Sequence, residues 1–238
     1  MLKQLKYDFS KLVFQRKYLF ILIAVSLFGI LYSVLLFQKG LAGTQIVSSG
    51  LATFRPIYWL LCCYVMCDVI SSDYHYKTLK IVVPYAENRA GYIVSKGISS
   101  AGISLMILLV YLLTSNMTVL ILDSGHTWGL SGYSFGLLCV GAIVGIFFLE
   151  SMISFCIVVT ESEAATIGFS MGIVIIMFIF ESVEQIAKYL PTMWLATLPS
   201  IVKTEAGTRL IVIAVFFVLS LLLCAGTIGI FRKKDLFA

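Results

Sequence analysis

Residues 71–96 read SSDYHYKTLKIVVPYAENRAGYIVSK, the longest polar interruption in an otherwise lipid-like chain. The stretch holds four bases (Lys77, Lys80, Arg89, Lys96), two acids (Asp73, Glu87) and the helix-breaking Pro84. Long apolar runs flank it on both sides. A charged side chain at the centre of a bilayer costs about 2.5–3.5 kcal/mol or more, so a segment with this charge density does not lie in hydrocarbon. It belongs at one membrane face, where it presents charge and shape to whatever occupies that compartment.

Composition agrees with that frame. Of 238 residues, 60% are hydrophobic and 12% charged, with a mean hydropathy of +1.02. A soluble domain carries about a quarter of its residues as charges. The expected fold is therefore all-α: one polytopic membrane domain over 1–238 with six transmembrane helices. The net charge of +5 does not point to nucleic acid, because the bases fall at the ends of apolar segments, as topology signals do. All six cysteines (Cys62, Cys63, Cys67, Cys139, Cys156, Cys224) sit inside apolar runs. They read as small packing residues rather than a disulfide framework or metal site. No cleavage motif follows the basic N-terminal stretch, so no signal peptide is expected.

Taken in order, residues 1–17 place Leu2, Leu5, Phe9, Leu12 and Val13 on one helical stripe with most charges elsewhere, the pattern of a helix lying in the membrane interface. Span one is expected at 18–37, followed by a Gly/Ser-rich loop at 38–50. Span two is expected at 51–70, span three at 97–122 and span four at 133–159. A tight acidic turn at 160–165 leads to span five at 166–180, and span six is expected at 209–231. Residues 181–208 contain Pro191 and Pro199, which exclude one continuous span. They read as two short helices, a re-entrant segment on the outer face with Tyr189 and Trp194 at headgroup level. Twelve Lys and Arg fall on the side of the two termini and residues 71–96, and five on the other. Both termini and the polar stretch are therefore expected in the cytoplasm.

The chain lacks the chemistry of an enzyme. It has no phosphate-cradling G-x-x-x-x-G-K-[ST], no H-E-x-x-H and no G-x-S-x-G. Its two histidines, His75 and His126, are assigned to opposite faces, so no metal or other cofactor is expected in this chain. Three charged residues in or beside the spans stand out as candidates for a translocation path or gate. Glu150, in GIFFLESMISF, is flanked by apolar residues and must face the protein interior or a cavity; it either gates a path or holds another span by a hydrogen bond. Arg55 is expected to snorkel to the outer interface, with substrate contact as the alternative. Asp68, near the end of span two, is expected to face the polar stretch. The pairs Gly132–Gly136, Gly141–Gly145 and Gly168–Gly172 permit close helix approach; those in spans four and five are expected to pack within the subunit.

Asp73, the triplet Lys77-Thr78-Leu79, the pair Asn88-Arg89, and Ser95-Lys96 opening a span resemble the loop between spans two and three in permease subunits of type-two ABC exporters. That loop typically has an acidic residue, a Gly-Thr-Leu-like triplet, a Ser-Arg-like pair and a Lys entering span three. Here Lys77 replaces the glycine and Asn88 the serine. The amphipathic N-terminus, six spans, the longer outer segment before span six and the basic tail extend the resemblance over nearly the whole chain. It implies a bacterial cytoplasmic-membrane permease that forms a homo- or heterodimer in the lipid bilayer. It also implies two copies of a separate cytoplasmic ABC ATPase, which holds the ATP and Mg. The coupling helix would run from about 74 to 83, offering Tyr74, Leu79 and Val82 for packing and Lys77 and Lys80 to acidic partners. Asp73, Thr78 and Arg89 complete the ATPase-coupling set. Small permeases of this kind resemble those for bacteriocin export or immunity and amphipathic peptide toxins; an amphipathic or lipid-like cargo is expected. The alternative is a carrier or channel that uses Glu150 without an ATPase. A lipid-modifying membrane enzyme is disfavoured, because no catalytic cluster is found.

Overall fold

The computed structural model describes residues 9, 12, 14–75, 89–122, 132–198 and 206–233; for 71–75, 89, 90, 132, 206, 232 and 233 the description covers the backbone only. The described residues form helices and short connections, with no strand among them. Five long helices come first: α1 (Arg16–Gln38), α2 (Gly43–His75), α3 (Arg89–Leu122), α4 (Gly132–Thr160) and α5 (Glu163–Phe180). Two one-turn helices follow, α6 (Glu184–Ala187) and α7 (Trp194–Thr197), with a 3-10 turn at Pro191–Met193 between them, and then α8 (Ala206–Lys233). Six of these helices contain a stretch long and apolar enough to cross a membrane: Arg16–Gln38, Gly43–Ile70, Gly91–Leu122, Tyr133–Thr160, Glu163–Phe180 and Gly207–Phe231. The chain is a multi-pass membrane protein in architecture. The interfacial helix expected over 1–17 lies mostly outside the described residues, although Phe9 packs against the α3 backbone at Gly102.

Helix α4 is the centre of the bundle. In its most apolar window 72% of residues are buried, against 22% for α1 and 17% each for α5 and α8. Helix α8 packs chiefly on α4, α1 on α3, and α2 on α3 and α5. The outer helices turn large apolar side chains away from the protein at helical spacing: Ile23, Leu27, Leu31 and Leu35 on α1, and Ile211, Val215, Val218 and Leu222 on α8. In water such faces would be a liability; against lipid they are the expected surface. Inside, small polar residues and glycines let the helices approach. Ser33 of α1 hydrogen-bonds Ser115 of α3 at 2.9 Å. Phe54 of α2 stacks on Tyr111 of α3 with ring centroids 4.0 Å apart.

Several boundaries move from the expected ones. The loop placed at 38–50 shrinks, because α2 begins at Gly43. The GTQIVSSG segment is helical where Ile46 and Val47, both fully buried, insert into the core. Pro56 is consequently interior to α2. The acidic turn shrinks to Glu161 and Ser162: Ser162 caps α5 by accepting the Ala165 N–H at 3.4 Å, and Glu161 adopts φ 52° to reverse the chain. Trp194, placed at headgroup level by sequence, instead turns inward and is 1% exposed. The short helices of the 181–198 segment are present, and α7 and the 3-10 turn lean on α2 and α4.

The glycine pairs also separate. A Cβ at Gly145 would stand 2.7 Å from the Trp59 ring of α2, and one at Gly141 would collide with Leu198. Around a Cβ at Gly168 or Gly172 of α5 no described residue of another element lies within 4 Å, so that pair does not serve the packing expected of it. Gly145→Val should therefore lower stability by about 1–3 kcal/mol through overpacking. Gly172→Val should stay within about 0.5 kcal/mol of the parent. Thermal unfolding of both variants in one neutral detergent checks the contrast, and equal effects would refute it.

Candidate functional site

Glu150 lies on the most enclosed helix and is 5% exposed. Ser100 of α3 donates its hydroxyl to Glu150 Oε2 at 2.5 Å. That hydroxyl also lies 3.0 Å from the Gly97 carbonyl of its own helix, but its one hydrogen favours the stronger acceptor, a carboxylate. The second oxygen, Oε1, is buried and has no hydrogen-bond partner among the described residues. No Lys or Arg among the described residues forms an ion pair with Glu150. Gly97 explains how the carboxylate fits: a Cβ there would be 3.3 Å from Oε1.

The carboxylate borders a cavity of about 110 Å³ between α3, α4 and α8. Its walls are almost wholly carbon, from Ile93, Val94, Ile98, Ala101 and Phe147, with Ser151, Ser154, Cys224 and Thr227 completing the lining. Ser151 donates to the Phe148 carbonyl and Thr227 to the Leu223 carbonyl, each at 2.8 Å. With those hydrogens committed to their own helices, both oxygens remain only as acceptors. The cavity is therefore an almost wholly apolar space beside one enclosed carboxyl group.

The other two singled-out charges lie elsewhere. Arg55 does not snorkel outward. Its Nη2 pairs with Glu181 Oε2 at 2.9 Å, with side chains 15% and 10% exposed, and its Nη1 contacts Met193 Sδ. This ion pair ties α2 to the end of α5 and the 3-10 turn. Beside it the Trp59 indole N–H donates to the Thr192 carbonyl at 3.0 Å. Asp68 accepts from Lys17 Nζ and the Tyr18 hydroxyl at the start of α1, so it faces α1. Arg55 and Asp68 are thirteen positions apart on one helix, about 20 Å at 1.5 Å per residue. The three charges thus form three separate arrangements and not one site.

Among the proposed coupling residues, Lys77, Thr78, Leu79 and Lys80 lie outside the described residues. Asp73 and Tyr74 belong to the helical end of α2, and Arg89 opens α3. Sequence reasoning missed Glu181, Ser100 and Gly97. Glu181 had a readable signal, since a buried arginine needs a carboxylate and Glu181 is the first acid after span five. Ser100 and Gly97 had none, being ordinary small residues of a membrane helix. Comparison with protein-family models and with curated proteins returns no match for this chain.

Proposed function

We propose that the chain is the permease subunit of an ATP-driven exporter of the type-two ABC kind, moving an amphipathic peptide or lipid-like cargo. It acts as a dimer in a bacterial cytoplasmic membrane with both termini cytoplasmic. Two copies of a separate ABC ATPase engage residues 71–96, through Asp73, Tyr74, Lys77, Thr78, Leu79, Lys80 and Arg89. ATP and Mg belong to that partner.

One observation carries this reading. The polar stretch joins two helices of 33 and 34 residues, each about 50 Å long, against a hydrocarbon thickness of about 30 Å. Such helices are levers. The start of α3 runs without a break from Arg89 into the cavity wall at Ile93, Gly97 and Ser100. A push on 71–96 would shift the residue that holds Glu150 through one rigid element. This is the coupling an external ATPase needs.

The test is co-purification from native membranes. An ABC ATPase should accompany the parent chain, and the Lys77→Glu/Lys80→Glu/Arg89→Glu variant should lose it at equal expression. Cargo flux that persists without nucleotide would sink the proposal. It would favour instead a carrier or channel that uses Glu150.

A further inference from the structure

We propose that the groove between α1 and α2 is a binding site for an anionic phospholipid, with one acyl chain lying in the groove and the phosphate on Arg16. The site goes beyond the export reading and does not depend on it. Its shape, its depth and the charge at its mouth agree. The two helices face each other with apolar ridges: Phe20, Ala24 and Phe28 at i, i+4 and i+8 on α1, and Phe54, Ile57 and Leu61 at i, i+3 and i+7 on α2. Ala24 is the one small side chain among these six, and the space it leaves opens a hollow of about 290 Å³. A dry cavity of about 150 Å³ holds benzene, so a hollow of about 290 Å³ takes on the order of ten chain carbons.

Phe28 and Phe54 meet with ring centroids 5.8 Å apart and close the deep end. Arg16 lies twelve residues before Phe28, about 18 Å along the helix, against about 15 Å for half of a 30 Å hydrocarbon layer. The groove therefore runs through one leaflet, the reach of one acyl chain. Arg16 stands one turn before Phe20 on the same ridge, is exposed, and forms no ion pair with another described residue. The first turn of α1 carries no acid. Asp68 of α2 is occupied by Lys17 and the Tyr18 hydroxyl, so among the described residues Arg16 is the uncompensated charge at this mouth. Residues 1–17 hold five bases and one acid in sequence, a balance that draws anionic lipid to the surface. The described residues that precede α1 do not fill the groove: Phe9 packs at Gly102 of α3 and Leu12 in the main core. A helix of a second copy, about 10–12 Å across, can only lie over such a hollow, whereas an acyl chain fills it.

The experiment is native mass spectrometry of the purified full chain in a neutral detergent, titrated with phosphatidylglycerol and, separately, with phosphatidylcholine of the same acyl chains. The expected result is one saturable phosphatidylglycerol per chain, with phosphatidylcholine bound about fivefold more weakly, the scale of one base beside an anionic surface. Arg16→Gln should bring phosphatidylglycerol down to the phosphatidylcholine affinity. Ala24→Trp fills the hollow from the lipid side and should weaken both lipids about tenfold or more, since lost burial of two methylenes already costs that much. Ile57→Trp does the same from the opposite wall and stands in if Ala24→Trp does not fold. Leu31→Trp, on the exposed face of α1 outside the groove, should change neither lipid. Equal affinity for the two lipids in the parent, unchanged binding in folded Ala24→Trp, or an equal loss in Leu31→Trp overturns the proposal. So does displacement of the lipid by inorganic phosphate, because the apolar groove would then contribute nothing. The same spectra read the oligomeric state. If Ala24→Trp turns a dimer into a monomer while lipid binding persists, the groove holds a second chain and the lipid site is overturned. Binding is read without ATPase or cargo, so its failure leaves the export reading standing, and loss of the ATPase partner leaves the lipid site standing.

Discussion

Replacing Arg55 with methionine should destabilise the protein by about 3–5 kcal/mol, the usual cost of leaving one member of a buried ion pair without its partner. Both side chains are largely enclosed, and they meet at 2.9 Å. The pair is incompletely served even in the intact protein, since Arg55 Nε and Glu181 Oε1 are buried without hydrogen-bond partners among the described residues. Among the described residues Glu181 therefore depends on this one contact for its charge, and methionine removes it. The double variant Arg55→Met/Glu181→Leu should recover most of the loss, because a buried pair exchanged for apolar residues of similar volume is often neutral or stabilising. Thermal unfolding in neutral detergent reads both. A single variant within about 0.5 kcal/mol of the parent would mean that water reaches Glu181 and solvates it. The prediction also bears on function: the pair bolts α2 to the end of α5 and, through Met193, to the turn preceding α7. Any opening at this end of the bundle must break or carry that bolt.

The contrast between Arg55 and Glu150 shows which information the chain carries locally. The six spans are legible because each is a run of apolar residues near membrane thickness, and lipid imposes helix on any such run. Glu150 is legible as an outlier because its neighbours on both sides are apolar. Its partners are not: Ser100 is fifty positions away and looks like any serine in a membrane helix. The start of α2 is hidden for another reason. GTQIVSSG has the composition of a loop, and only tertiary contacts, with Ile46 and Val47 in the core and Gly50 beside the Tyr111 hydroxyl, make it helix. Trp194 misleads because tryptophan in a membrane protein is commonly interfacial. Its burial depends on Gly141, which clears space for Leu198 on a helix more than fifty positions earlier. Spacing within one segment reports the segment's own environment; it does not report which other segment supplies that environment.

Trp194→Ala should be about as costly as loss of Arg55, about 3–5 kcal/mol, through the large cavity it leaves. The indole is 1% exposed. It meets Phe216 of α8 edge-on at 5.5 Å, and Phe216 meets Phe148 of α4 in the same way at 5.0 Å. With Leu137, Val144, Leu198 and Ile213, Trp194 and Phe216 form a second apolar cluster, separate from the main core. That cluster joins α7 to α4 and α8, whereas the Trp59–Thr192 hydrogen bond and the Arg55–Glu181 pair join the same region to α2. Truncating Trp194 should consequently free the 190–198 segment from one side only. Cysteine-labelling rates at Leu195→Cys, a fully buried position, should rise in the Trp194→Ala background, while the Arg55–Glu181 tie keeps the segment near α2. Removing both anchors by combining Trp194→Ala with Arg55→Met should then accelerate labelling by more than the product of the single effects, because each anchor limits how far the segment can move once the other is gone. Multiplicative rates would instead mean that the two anchors hold independent pieces, and the cap would not move as one body.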